Sequence, residues 1–207
     1  MSNPLPISPS LPSPQEAPIA VVDVETTGLI PLPRPNQPAH EIVSLAIILC
    51  DVALRPVLTV SHFVSPERPH SIDPQSAIIS GYLGHEHLWK DAITQEQCAR
   101  IISSYTRDRC LLAHNVDFDR GFLAASMRLI KESPRWKARQ ICTLKAMREA
   151  LRKGLVRGEG ASLQASCARF GIHLPREEGA AHFALDDAEA TRQLAQTLVK
   201  LGALRIV

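Results

Sequence analysis

The strongest constraint on the fold is a pair of acids in an apolar segment near the start of the chain. Residues 19–24 are mostly Ile, Val and Ala, which predicts a short buried strand, and Asp23 and Glu25 stand two positions apart near its end. Side chains two apart point to the same face of a strand, so both carboxylates share one face. Burying two neighbouring carboxylates is costly unless a divalent cation neutralises them, and oxygen ligands suit Mg²⁺ or Mn²⁺. The alternative is a strand end at which both acids reach water beside the Thr-Thr-Gly turn that follows.

Two further acidic groups occur where helices are predicted to begin. Residues 113–119 pass from a strand into a helix and place Asp119 in the first helical turn, whereas Asp117 is expected only to cap that helix. Residues 182–188 bring His182 and Asp187 to the start of the last helix. Taken singly, the acids are compatible with helix capping and the histidine with an ordinary, partly buried residue. Together the three segments supply the carboxylates and the general base that a two-metal phosphodiester site requires.

Three motifs resemble those of the DEDDh, or DnaQ-like, 3′–5′ exonucleases. This family includes the proofreading subunit of the bacterial replicative polymerase and ribonuclease T. The motifs are VVDVETTGL at 21–29, LLAHNVDFDRGFL at 111–123 and HFALDDAEAT at 182–191, in the family's order and spacing. Phe183 stands where the family's tyrosine subgroup has its Tyr, and His182 lies five residues before Asp187, as in the histidine subgroup.

The resemblance implies an activity and a role for each matched residue. The activity is hydrolysis of single-stranded DNA or RNA from the 3′ end, with release of nucleoside 5′-monophosphates, and the sequence does not choose between the two polymers. His182 would be the general base. The ligands of two divalent cations, Mg²⁺ or Mn²⁺, would be Asp23, Glu25, Asp119 and Asp187. The residues near the terminal nucleotide would be Thr26, Thr27, Leu29, His114, Asn115 and Phe118.

The predicted elements indicate an α/β fold. Strands are expected at 19–24, 41–50, 57–64 and 110–113, and helices at 95–105, 118–131, 162–171 and 185–201. Strands first, then helices alternating with strands, predict a mixed central sheet, an antiparallel meander followed by parallel strands, flanked by helices. The resemblance implies a ribonuclease H-like fold. Six prolines in residues 1–18 predict a flexible N-terminal tail, which leaves 19–207 as a single domain, the exonuclease domain of the resemblance.

The charge is unevenly distributed along the chain. Residues 128–157 contain ten Lys or Arg and two Glu, in a protein of net charge +2. A solvated helical face is one interpretation, and a surface that guides polynucleotide phosphates is the one we favour. Trp89 and Trp136 are expected either to pack partly buried or to stack on bases. The proline-rich loop at 30–40 directly follows Leu29, and we expect it to shape the substrate entrance.

Composition and the pattern of cysteines indicate the cellular compartment. No apolar run approaches the length of a membrane span, and the five cysteines form no C-x-x-C pair. We therefore expect buried free thiols and a cytoplasmic protein whose partners are single-stranded nucleic-acid 3′ ends, with no membrane. The sequence is compatible with a homodimer and with a polymerase partner. It contains no long C-terminal tail after the last predicted helix that would tether such a partner. The alternative function is a non-catalytic nucleic-acid-binding or scaffold subunit of the same fold.

Overall fold

Two adjacent strands, buried over most of their length, form the centre of the sheet. The computed structural model describes residues 11–35, 37–175 and 181–206. β1 (Ile19–Thr26) pairs antiparallel with β2 (Ile42–Cys50), and β2 pairs antiparallel with β3 (Pro56–Phe63). On the other side of β1, β4 (Cys110–Ala113) and β5 (Ile141–Cys142) continue the sheet in parallel. The order β3-β2-β1-β4-β5 confirms the predicted mixed sheet, an antiparallel meander followed by parallel strands.

Six α-helices are present in the described part of the chain. Their bounds are α1 (Pro74–Ile79), α2 (Gln95–Thr106), α3 (Val116–Leu129), α4 (Thr143–Arg152), α5 (Leu163–Phe170) and α6 (Ala184–Lys200). Within the same ranges, no helix combines the length and the apolar composition needed to cross a membrane.

β1 divides its side chains between two cores. The core beneath α2 and α3 receives Ala20, Val22 and Val24. The core beneath α6 receives Ile19 and Val21. By the same alternation, Asp23 and Glu25 point to the α6 side of the sheet. α6 packs there through Ala184 and Ala188, whose small side chains let the helix lie close to the strands, so the start of α6 is brought over both acids.

The end of β1 extends beyond its parallel neighbour. β4 pairs with β1 at residues 19–21, so the second half of β1 runs past the last residue of β4. α3 begins three residues after β4 ends, and its first turn lies beside the end of β1. This connection brings Asp119 up to the backbone of Val24.

The last helix differs from its prediction at both ends. The spacing of Leu185, Ala188, Leu194, Leu198 and Leu201 predicts that they form one apolar face of this helix, but Leu185 and Leu201 are 38% and 44% exposed. The buried stripe instead runs through Ala184, Ala188, Leu194 and Leu198. Position 185 lies about 100° around the helix from position 184 and so turns towards solvent, and Leu201 follows the last helical residue.

All five cysteines are buried free thiols, as the sequence analysis expected. Burial raises the pKa of both Cys50 and Cys98 to about 12, so these two thiols stay protonated. Their role in the described fold is therefore apolar packing.

Residues 12–17 pack against the domain through the fully buried side chain of Arg109. The guanidinium donates to the backbone carbonyls of Pro12, of Ala17 at 2.8 Å and of Arg107 at 3.3 Å. Ala17 itself is fully buried. The N-terminal tail was predicted to extend to residue 18. Its residues 1–10 lie outside the described residues, while residues 12–17 make these contacts.

Replacing Arg109 with Leu is expected to destabilise the fold by about 2–4 kcal/mol, because buried carbonyls lose their donors. Arg107→Ala is the control, since the exposed guanidinium of Arg107 lies 3.4 Å from Glu132 and such pairs contribute about 0–1 kcal/mol. Urea denaturation of both variants measures the difference. Equal midpoints for the two would show that the anchoring of residues 12–17 does not contribute to stability.

Candidate active site

One cleft of about 290 Å³ contains all five residues that the sequence analysis assigned to chemistry. They are Asp23, Glu25, Asp119, His182 and Asp187. β1 contributes the first two, the first turn of α3 the third, and the start of α6 with the residues before it the last two. Three segments far apart in the chain therefore meet at the end of the central strand.

The cluster is tightest around Glu25, His182 and Asp187. One ligand atom from each lies within 4.8 Å of the other two. His182 Nδ1 is 3.6 Å from Asp187 Oδ2 and 3.9 Å from Glu25 Oε1. Both acids are less than a tenth exposed. Carboxylate oxygens withdrawn from water in this way fit hard divalent cations such as Mg²⁺ or Mn²⁺.

Asp119 lies deepest among the acids. Burial raises the pKa of its carboxyl to about 7, and the negative charge of Asp187 acts in the same direction. The backbone N–H groups of Asp119 and Val24 oppose this shift by stabilising the charged form. A divalent cation beside the carboxyl would favour that charged form further. The electrostatics of the cleft therefore fit a cation among these acids.

The turn after β1 is held by the start of β2. Thr27 and Glu41 exchange two hydrogen bonds of 2.8 Å, one between backbone groups and one from the Glu41 N–H to the Thr27 hydroxyl. The Thr26 hydroxyl donates to the carbonyl of Gly28 at 2.7 Å. A Cβ at Gly28 would lie 2.4 Å from the ring of His40, so only glycine fits beneath that ring. Both threonine hydroxyls are thus used to shape the turn.

Three further residues were predicted to contact the nucleotide, and two of them line the cleft. Leu29 follows the turn and is 77% exposed, which leaves its side chain free to meet a base. Asn115 is exposed at the N-cap of α3 without capping it, and Phe118 is half-buried with its ring 5.0 Å from that of Phe122. Asn115 and Phe118 both line the cleft.

His114 also lines the cleft but is held by the protein. Its Nδ1 lies 2.9 Å from the hydroxyl of Thr143. Burial lowers the pKa of His114 to about 4, so the ring is neutral at pH 7. A neutral imidazole can offer a hydrogen bond to a substrate but contributes no positive charge.

The start of α5 forms a wall of the cleft that sequence reasoning missed. Ser162, Leu163 and Gln164 line it opposite the acids of β1. The Ser162 hydroxyl accepts the N–H of Ala165 at 3.2 Å and so caps the helix. The cap is a local signal, but its position at the cleft comes from packing of α5 against α6.

A segment around α1 connects the β1 turn to His182. At one end the Asp73 N–H donates to the Thr27 carbonyl at 2.9 Å. At the other end the His182 N–H donates to the Ile79 carbonyl at 2.7 Å. Gly81 adopts a φ of +71°, and a Cβ there would lie 2.8 Å from the Cβ of Ala181. The backbone on which His182 stands is thus placed by this segment.

Proteins that resemble this chain are nucleases by name. The model of the exonuclease family named for RNase T matches residues 20–195. A protein of Mycobacterium tuberculosis (strain CDC 1551 / Oshkosh), named a bifunctional exonuclease/endonuclease, is 30% identical over 190 residues. That match covers 90% of this chain and 27% of the relative, so the chain spans about a quarter of that protein's length.

Solved structures show the same fold. Escherichia coli exonuclease I in complex with a dT13 oligonucleotide superposes with a TM-score of 0.70 at 20% identity, over 87% of this chain and 40% of that one. The nuclease domain of 3′hExo, a DEDDh family member bound to rAMP, gives 0.66 at 18% identity, over 89% and 92%. These likenesses confirm the ribonuclease H-like fold. The family model, which matches most of the chain, shows that the chain belongs to the exonuclease family named for RNase T, and its three motifs are of the DEDDh type.

Proposed function

We propose that the protein is a metal-dependent 3′–5′ exonuclease that hydrolyses single-stranded DNA or RNA and releases nucleoside 5′-monophosphates. The observation that carries the proposal is the meeting of four carboxylates and one histidine, from three separate segments, in one cleft. Membership of the exonuclease family supports it. So does the likeness of the fold to exonuclease I, whose structure holds a single-stranded oligonucleotide.

The acids of the cleft would hold the cations. Asp23, Glu25, Asp119 and Asp187 offer the oxygen ligands, and two bound Mg²⁺ or Mn²⁺ ions supply Lewis-acid stabilisation of the attacking and leaving oxygens. Burial of the carboxylates excludes water and fixes the donor atoms before substrate arrives.

His182 would act as the general base. Imidazole, with an ordinary pKa of about 6.5, can accept the proton of the attacking water near neutral pH. The carboxylates of Glu25 and Asp187 face its Nδ1 and stabilise the imidazolium that this transfer creates. Asn115 and Phe118 line the cleft, and Leu29 is exposed just after the β1 turn, so these three side chains would hold the terminal nucleotide in place.

A non-catalytic nucleic-acid-binding or scaffold subunit is the alternative function. A scaffold has no need for buried acids gathered around a histidine, because that cluster costs stability and contributes nothing to binding a polyanion. The arrangement of the cleft therefore favours the enzyme.

Asp187→Asn is expected to abolish degradation, because the variant loses a cation ligand while keeping its shape. Asp186→Asn, one residue earlier on α6 and outside the cleft lining, is the matched control and should retain activity. The assay uses 5′-labelled single-stranded DNA and RNA with Mg²⁺, with Mn²⁺ and with chelator. The proposal is supported if products shorten from the 3′ end with wild type and with Asp186→Asn, but not with Asp187→Asn. Turnover retained in Asp187→Asn would contradict the metal assignment.

His182→Ala is expected to lower kcat by roughly 10²–10⁴-fold through loss of the general base. Calorimetric titration with Mn²⁺ separates this role from metal ligation, since His182 Nδ1 also lies near two ligand carboxylates. We expect the Mn²⁺ affinity to stay close to that of wild type. A large fall in Mn²⁺ affinity would instead identify His182 as a ligand.

Gly81→Ala is expected to lower kcat by about 10–100-fold, because a new Cβ displaces Ala181 and with it the neighbouring His182. Gly84→Ala is the matched control: Gly84 also has a positive φ, +96°, but a Cβ there meets nothing within 4 Å. Both variants carry the cost of a strained backbone, and Gly81→Ala adds the displacement of Ala181, so urea denaturation checks that both variants stay folded under the assay conditions. Equal kcat values for the two variants would show that Gly81 does not position His182.

A further inference from the structure

A second groove adjoins the catalytic cleft along α3. It has a volume of about 390 Å³, and Arg120, Ala124 and Arg128 line it from the helix. These residues are four apart, so they form one stripe along the helix. Asp119 and Phe118, in the first turns of the same helix, line the catalytic cleft. The first turns of α3 therefore separate the two cavities.

The walls of the groove are apolar. Pro31 and Leu32 of the proline-rich loop form one side, and Trp136 lies on the other. Pro31 packs over Gly121, where a Cβ would lie 3.3 Å from its ring. The Trp136 indole N–H donates to the Thr106 hydroxyl at 2.8 Å, which fixes a half-buried ring at the groove. Because the loop begins directly after Leu29, the groove opens beside the proposed terminal-nucleotide site.

The groove is positively charged. Arg120 and Arg128 are exposed, and neither guanidinium forms a hydrogen bond or ion pair with another residue that the structure describes. Asp117 also lines the groove, but Lys145 neutralises it through an ion pair of 2.6 Å. The nearby carboxylate of Glu132 is occupied by Ser103 and Arg107. Two guanidinium groups thus remain available to an anionic ligand.

The dimensions fit a strand longer than one nucleotide. Eight residues separate the two arginines, so their positions on the helix are about 12 Å apart. Apolar and aromatic walls between positive charges are typical of single-strand binding, where bases stack and phosphates pair with arginine. A terminal nucleotide alone would not reach both charges from the catalytic cleft.

We propose that the groove between α3 and the proline-rich loop binds the nucleotides of a single-stranded polynucleotide on the 5′ side of its terminal nucleotide. Arg120 and Arg128 pair with two phosphates of the strand, and Trp136, Pro31 and Leu32 offer the surface for the bases. This inference rests on the proposed function and adds the path of the substrate. It also identifies which part of the basic segment 128–157, together with Arg120, binds the strand.

The double variant R120A/R128A tests the path. Wild type should have a higher kcat/KM for a 12-nucleotide strand than for a dinucleotide. We expect the ratio of these two values to fall by about tenfold in the double variant. The slope of log Kd against log salt for the 12-mer should fall by about 1.4, because two phosphates of a single strand no longer pair with a guanidinium. The matched control is R55A/R100A, which removes two exposed arginines that pair with Asp51 and Glu96 elsewhere on the surface. An unchanged length advantage and salt slope, equal to those of the control, would overturn the proposal.

Binding measured without turnover keeps this test separate from the proposed activity. Fluorescence anisotropy with a labelled 12-mer in the Asp187→Asn background reports binding of the strand without its hydrolysis. If R120A/R128A binds the 12-mer more weakly and wild type degrades nothing, the groove proposal is supported and the exonuclease proposal is contradicted. If wild type degrades the strand and R120A/R128A binds it as tightly as the protein without these substitutions, the exonuclease proposal is supported and the groove proposal is contradicted.

Discussion

The electrostatic cost of gathering acids at the end of one strand shapes the rest of the molecule. Glu25, Asp119 and Asp187 are each less than a tenth exposed, and their mutual repulsion and desolvation oppose folding. The cluster exists because it is held by the most buried part of the structure, the β1–β2 pair and the alanine-lined face of α6. The packing of the sheet offsets the repulsion and desolvation of these acids, and a bound divalent cation would reduce both. Functional sites commonly hold such destabilising arrangements.

The sequence pattern predicted most strands and helices and missed β5, α1 and α4. β1, β2, β3 and β4 appear where apolar runs predicted them, and α2, α3, α5 and α6 within a few residues of their expected bounds. β5 has two residues and α1 has six, lengths at which no period can be recognised. α4 was missed because it lies in the basic segment, where lysines and arginines surround the few buried positions such as Ala146 and Met147.

Some residues of the site could be predicted from the local sequence, and others depend on contacts between segments that are far apart in the chain. Acids within apolar runs are visible in the sequence, and family motifs connect them. The bond from the His182 N–H to Ile79 and the wall formed by α5 come from contacts between distant segments, which no spacing reveals. The sequence did not decide whether the two tryptophans pack in the core or stack on bases. Trp89 is buried and donates its indole N–H to Val43 at 3.0 Å, a packing role, while Trp136 lies half-buried at the α3 groove.

The anchoring of residues 12–17 by Arg109 determines where other modules or surfaces can be attached. Ala17 precedes β1, and Glu25 is eight residues further along an extended chain, about 26 Å away. A fusion partner, bead or slide held through the anchored segment 12–17 is therefore attached at the far end of the central strand from the acid-lined cleft. The distance along β1 keeps such an attachment away from the cleft.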